Sequence, residues 1–298
     1  MIKYRIRPLK TIDEFHCCEA IQKAVWEFSD REIIPVNELI TIQRNGGVVL
    51  GAFSSAGVAS SATRRRGGDR MLGFVFGFPG LYNGQLIHCS RMLAVLPAYR
   101  NSDIGYKLKL AQRAAVRKQG IKLITWTFDP LQSLNAYFNI VKLGVIVRKY
   151  YINLYGTSSS VLNRGLETDR FLAEWHLRQK SEIRKQKSEI CLPDASVNQT
   201  HRDKDGWLVC EKPRLGLRDR RITVEIPADI NTLKSVRPAL ARDWRKKTRT
   251  IFTHYFRRGY WVTGFIYRKG QPSSTVPKLQ NGDGQRGEQS FYLLERRG

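Results

Sequence analysis

The stretch MLAVLPAYRNSDIGYKLKLAQRAAV, residues 92–116, has the residue types and spacing best suited to chemistry. An extended run ends at Val95, Pro97 stops strand pairing two residues later, and a short loop ending in Gly105 feeds a helix. Backbone N–H groups of such a loop point where the helix N-terminus is positive, and a glycine lets an anion approach closely. Arg100 and Lys107 add cationic side chains beside it. This is the make-up of a phosphate cradle, although an ordinary strand-to-helix turn shares the pattern.

Periodicity supplies the elements that must hold this loop. Residues 4–9 read as a strand, and 13–25 as an amphipathic helix capped by Thr11 or Asp13, with Phe15, Ile21, Ala24 and Val25 on its apolar side. A helix over 36–44 and a buried strand over 48–53 follow. Next comes the Ser/Gly/Arg stretch SSAGVASSATRRRGGDR, then a strand over 71–78 closed by Pro79-Gly80, and a third extended run over 86–95. Residues 104–119 form a helix with Ile104, Leu108, Ala111 and Ala115 as its stripe and Gly120 as its stop. Strand 121–127, helix 131–143 and extended run 145–155 complete a mixed α/β order, with an antiparallel front and a parallel pair around the central helix. Residues 178–206 turn polar and read as a linker or surface helix. A second unit over 207–298 has strand 221–226, a helix from Asp229 interrupted by Pro238, and strands 260–267 and 290–295.

Composition narrows the class. With 298 residues, 42% of them hydrophobic, the chain fills a real core, which argues against wholesale disorder. Fifty-one Lys and Arg against 26 Asp and Glu leave a net charge of +25, and the pI is near 10.2, so a polyanionic partner is expected. The excess is spread over both halves, which excludes a detachable basic tail as its source. Five cysteines show neither disulfide nor metal spacing and read as reduced thiols; no metal site is expected. The N-terminus MIKYRIRPLK has charge but no apolar core, so a cytoplasmic protein without membrane spans is expected.

The residues Val95-Leu96-Pro97-Ala98-Tyr99-Arg100 and Ile104-Gly105 resemble the acyl-CoA pyrophosphate loop of the GNAT acetyltransferase superfamily. More closely, LAVLPAYRNSDIGYKLKLAQR, ITWTFDPLQSLNAYFNIVKLG and LETDRFLAEWHL resemble a subgroup of predicted GNAT acetyltransferases. The likeness covers residues 1–177 and extends into the C-terminal unit through ITVEIPADI, DWRKKTRTIF and SFYLLER. It implies a GNAT acyl-CoA N-acyltransferase fold, a splayed mixed sheet whose parted fourth and fifth strands hold the pantetheine arm, over 1–177. A polar linker (178–206) and a half-GNAT-like strand-helix-strand-strand lobe (207–298) would follow. It implies acetyl-CoA as co-substrate and a small-molecule or peptide amine as acceptor. By the same likeness, the backbone of Leu93 and Val95 would pair with pantetheine amides. Arg100, Asn101, Ser102, Asp103, Ile104, Gly105 and Tyr106 would hold the pyrophosphate, and Asn135 would contact the cofactor arm.

Three departures bear on activity. Asp103 stands where the family pattern usually has its first Gly, and its carboxylate would repel pyrophosphate. The Tyr that many members use as acid, four residues before the helix-ending Gly, is Ile140 here, with Tyr137 three residues earlier. No Glu lies on residues 86–95, so the proton acceptor falls to His88, on that strand, or to Asp129, at the end of the fifth; each also has a bland reading, as a packed histidine and a turn aspartate. Trp126, Phe128, Trp175 and Trp207 line an acceptor pocket or the core. A degenerate, non-catalytic scaffold that binds nucleic acid or an acidic partner through Arg64-Arg65-Arg66 or the face of Arg242, Arg245, Lys246 and Arg249 is the weaker alternative.

Overall fold

The computed structural model describes residues 3–54, 69–100, 102–156, 165–177, 195–268 and 288–297. The fold is mixed α/β with mostly antiparallel strands. The chain divides into two compact units, the first reaching Trp126 and including His176 and Leu177, the second made of the remainder from Thr127 onward. The resemblance-based span of 1–177 is thus distributed over both.

The first unit runs β1 (Tyr4–Pro8), α1 (Ile12–Trp26), α2 (Val36–Arg44), β2 (Val48–Ser54), β3 (Arg70–Tyr82), β4 (Gln85–Val95), a short 3-10 turn (Pro97–Tyr99), α3 (Ile104–Lys118) and most of β5 (Leu123–Phe128). Its sheet order is β1-β2-β3-β4-β5, antiparallel except for the parallel β4/β5 pair. Every residue of β2 is buried, which is why it reads as an unbroken apolar run. The β3/β4 hairpin extends past Pro79-Gly80, the expected stop. Pro79 lies inside the strand opposite His88, and the reversal falls on Asn83-Gly84, both with positive φ, the residue pair such tight turns favour.

Two helix faces differ from the apolar patterns. On α1 Ala24 is exposed, because Glu14 is drawn into the core by a 2.8 Å bond from Arg7 and a bond from the Lys10 N–H, turning Phe15, Cys18 and Ile21 inward. On α3 the buried residues are Ile104, Leu108, Lys109, Gln112 and Val116, while Ala111 and Ala115 are only half-buried. Two long polar side chains therefore lie under this helix.

The second unit contains α4 (Ser133–Ala136), a π-helical segment (Tyr137–Lys142), β6 (Ile146–Tyr151), β7 (Arg170–His176), the small β8/β9 ribbon (Thr200–Arg202, Leu208–Cys210), β10 (Arg221–Ile226), α5 (Ile230–Val236), α6 (Pro238–Arg257), β11 (Tyr260–Arg268) and β12 (Gln289–Arg296). Its strand order is β7-β6-β11-β12-β10. The helix expected over 131–143 is two pieces, because Leu143 N–H reaches back five residues to Phe138 and widens the turn. Asp229 caps α5 by accepting from the N–H groups of Asn231 and Thr232, and Pro238 occupies the first position of α6, where a missing N–H costs no bond. Phe171, Phe252 and Tyr292 form an edge-to-face core, with centroids 4.7 to 5.4 Å apart. Arg245, expected on a solvated basic face, is buried within this unit. Strand β8 lies inside the stretch read as linker. Residues 178–194, Arg64-Arg65-Arg66 and most of the 270–288 loop lie outside the described residues.

Candidate functional site

Strand β4 is built to leave one edge open. It pairs with β5 at His88↔Ile124 and Cys89↔Thr125, and the parallel register goes no further. Its antiparallel register with β3 shifts between Ser90 and Met92, so Arg91 is an extra residue, and such bulges bend a strand. The bend falls where β5 ceases to pair, so the two strands part over residues 90–95. Leu96 N–H donates to Leu72 on β3 at 2.9 Å. Strand alternation then turns the N–H and C=O of Val95 and Leu93 toward the open edge. Those are the two residues whose backbone the resemblance assigns to a pantetheine arm.

The loop beyond is pinned on its inner side. Tyr99 is buried, its hydroxyl accepting from Arg70 Nη1 at 3.1 Å, and its carbonyl accepts from Ser102 Oγ. Asp103 is the residue before α3 and sits in the left-handed region, φ 56°, its carboxylate making no capping bond to the helix. The first-turn N–H groups of α3, those of Ile104, Gly105 and Tyr106, have no acceptor within the helix and are uncapped. A Cβ built on Gly105 would stand 3.7 Å from both the Leu93 and Val95 side chains, an ordinary contact distance. The donors of the loop and the open edge of β4 are therefore contiguous. Arg100 and Lys107 are exposed beside them, and Asn101 lies outside the described residues.

At the point where the strands part, His88 and Trp126 join a polar cluster whose other members, Ser90, Lys109 and Gln112, the sequence did not single out. Lys109 Nζ donates to Ser90 Oγ at 2.9 Å and to Gln112 Oε1 at 3.0 Å, and lies 3.7 Å from the centre of the Trp126 ring. Gln112 Nε2 approaches His88 Nε2 at 3.2 Å. All but Trp126 are buried. Burial pushes the Lys109 ammonium well below its ordinary range, and burial together with Lys109 pulls His88 down to about 4. His88 is thus a neutral, packed imidazole whose Nδ1 has no hydrogen-bond partner. Gln112, at i+4 from Leu108 and i+8 from Ile104 and so on the apolar side of α3, was the legible signal for this cluster.

The remaining candidates belong to the second unit. Asp129 Oδ1 accepts the Leu131 N–H at 2.8 Å, and Oδ2 accepts from Arg245 Nη2 at 2.6 Å with Arg170 Nη1 3.8 Å away. Both oxygens are occupied, as a turn aspartate and an ion-pair partner. Burial opposes the charge on Arg245, but Asp129 more than offsets it and holds the guanidinium protonated. Alongside, Asp169 accepts from Arg249 and from Tyr150, and these bonds keep its carboxyl below the ordinary range despite burial. Asn135 is exposed and accepts from Asn139 at 3.2 Å. Tyr137 is half-buried, its ring 6.3 Å from that of Tyr267. Ile140 is buried, so nothing acidic stands at its position. Phe128 and Trp175 are core residues, while Trp126 and Trp207 are half-buried. Among the described residues no group of His, Cys, Asp and Glu could hold a metal ion, and no helix is long and apolar enough to cross a membrane.

No family model matches the chain, and no curated protein matches it. Solved structures similar to it include a chain of the NatC complex bound to Gag peptide and CoA, at 16% identity over 59% of this chain and 100% of that one, TM-score 0.46. The PaiA N-acetyltransferase of Thermoplasma acidophilum in complex with coenzyme A gives 17% identity over 59% and 99%, TM-score 0.39. The ribosomal-protein-S18-alanine N-acetyltransferase of Escherichia coli gives 13% over 61% and 99%, TM-score 0.42. These are likenesses to N-acetyltransferase structures over about three-fifths of the chain.

Proposed function

We propose that the protein is an acetyl-CoA-dependent N-acyltransferase of the GNAT type, with residues 1–177 as its transferase scaffold. One observation carries this. The free N–H and C=O groups of Leu93 and Val95 on the open edge of β4 run directly into the uncapped N-terminus of α3, with Gly105 between them. An extended amide-bearing chain that ends in a polyphosphate needs those two features in that order: strand-like backbone pairing, then converging N–H donors. Ser102, Ile104, Gly105 and Tyr106 would supply backbone donors to the pyrophosphate, and Arg100 and Lys107 its counter-charge. Asn101, Asp103 and Asn135 complete the set that the family likeness assigns.

Transfer to an amine consists of attack by the neutral amine on the thioester carbonyl and departure of the thiolate. A β4 backbone N–H at the open edge is the donor for the carbonyl oxygen as it gains charge. The attacking amine gives up its proton to water, and the departing thiolate takes one from water to become the free thiol. His88 is buried and neutral, able to accept but packed behind Gln112, and Asp129 has both oxygens engaged. Tyr137, half-buried on its π-helical turn in the second unit, is the phenol nearest in sequence to the acid position of the family pattern. Positioning of the two reactants and the backbone donors supply much of the barrier reduction in such a bimolecular transfer.

Release of thiol from acetyl-CoA in the presence of a panel of primary amines tests this. Amine-dependent release that disappears in the Gly105→Trp variant is the expected result. Release that ignores the amine, or that survives the variant unchanged, contradicts it.

A further inference from the structure

The cofactor loop uses few of the surplus charges, and the second unit gathers several others in one place. Arg218, Arg220, Arg296 and Arg297, together with Glu295, line an open cleft of about 680 Å³. Arg221 opens β10, the last strand in this unit's sheet order, and lies opposite Glu295 on β12. One carboxylate serves three guanidiniums at loose distances: Glu295 is 3.5 Å from Arg220, 3.7 Å from Arg221 and 3.8 Å from Arg297. Those three side chains are 82, 61 and 55% exposed. Even counting Asp219 beside them, five arginines face two carboxylates. The Trp261 ring lies opposite Glu295 in the β11/β12 register, with Arg297 5.5 Å from its centre, a contact that holds this arginine at the rim.

We propose that this arginine cleft binds the phosphodiester backbone of a nucleic acid, separately from the acyl-CoA site. Three features favour that occupant. The cations are all arginines, whose planar N–H pairs match phosphate oxygens and which shed water more readily than lysine. They are arranged as a row along two adjacent strand ends around a cleft too large for a single phosphate, which suits a repeating anion. Among the described residues, none of the exposed large apolar side chains belongs to the patch, which favours a phosphodiester over a lipid surface. The chain's +25 adds a long-range attraction for the same polyanion.

Fluorescence anisotropy of the full chain with labelled 20-nucleotide single-stranded DNA and RNA, between 50 and 200 mM salt, tests the proposal. Binding is expected to weaken steeply with salt. The double variant Arg220→Glu/Arg297→Glu is expected to lose at least tenfold in affinity, and its salt slope should shrink by about 0.7 for each phosphate contact removed. A control, Arg31→Glu/Lys118→Glu, changes the net charge equally at exposed positions of the first unit. An equal loss in the control overturns the proposal, because the effect would then be bulk charge. Absence of binding overturns it too, as does displacement by polyglutamate as effective as by unlabelled oligonucleotide, which would make the cleft an acidic-protein surface. Unchanged unfolding midpoints and an unchanged acetyl-CoA titration in the cleft variant separate this outcome from any failure of the transferase proposal.

Discussion

Arg245 Nη2 lies 2.6 Å from Asp129 Oδ2, both side chains buried, joining α6 to the end of β5 across 116 residues of sequence. Arg245 Nε and Nη1 have no partner, so this one carboxylate carries most of the compensation for a charge that would otherwise be stranded in low dielectric. Removing Asp129 leaves the Arg245 guanidinium without its ion-pair partner, whereas removing Arg245 leaves Asp129 only the Leu131 N–H and Arg170 at 3.8 Å. Asp129→Ala should destabilise the protein by about 3 to 5 kcal/mol in urea unfolding, whereas Asp129→Leu combined with Arg245→Met should recover most of the loss. A cost below about 1 kcal/mol for Asp129→Ala would show that the pair does not anchor the unit.

His88 gives the stability curve an acid limb. Its pKa is lowered from the ordinary 6.5 to about 4, so between those values the unfolded chain takes up a proton that the folded chain refuses. Stability therefore falls as pH falls through this window, by about 3 kcal/mol for a shift of that size, and is fully present above 6.5. His88→Leu should flatten this limb. Identical slopes in wild type and variant between pH 6.5 and 4 would contradict the assignment.

Asp103 sits at φ 56°, in the conformation glycine tolerates best, and immediately precedes the proposed pyrophosphate donors in the chain. Asp103→Gly should therefore leave the fold as stable or up to about 1 kcal/mol more stable. It should also tighten acetyl-CoA binding roughly fivefold, the effect of removing about 1 kcal/mol of solvent-screened repulsion. Weaker binding in this variant would mean that the carboxylate serves the ligand rather than opposing it.

Much of this arrangement was legible in one dimension because it is local. Pro97 and Gly105 mark where β4 must stop and α3 begin, whereas the left-handed backbone at Asp103 shows only in the structure. Pro238 at the start of α6 and Asp229 as a cap were equally readable, since each acts on its own neighbours. The buried polar groups were not. Arg245, Lys109 and Glu14 each lie on a helix at a position where a charge ordinarily faces water. What draws them inward is a partner from another element: Asp129, Ser90 and Arg7 respectively. Such pairings depend on tertiary register, which helical periodicity does not encode. The π-helical turn at Tyr137–Lys142 escaped for a related reason, its i to i+5 bond being a tertiary compromise with no residue signature.

Gly105 isolates the central claim from stability. Because an added Cβ would meet Leu93 and Val95 only at ordinary contact distance, Gly105→Ala should fold like the wild type while intruding on the space between the α3 N–H groups and the β4 edge. Calorimetric titration of the full chain with acetyl-CoA is the direct measurement. Saturable binding competed by free CoA, weakened at least tenfold by Gly105→Ala at an unchanged unfolding midpoint, is the result predicted. No heat of binding at millimolar acetyl-CoA, or equal affinity in wild type and variant, would contradict it.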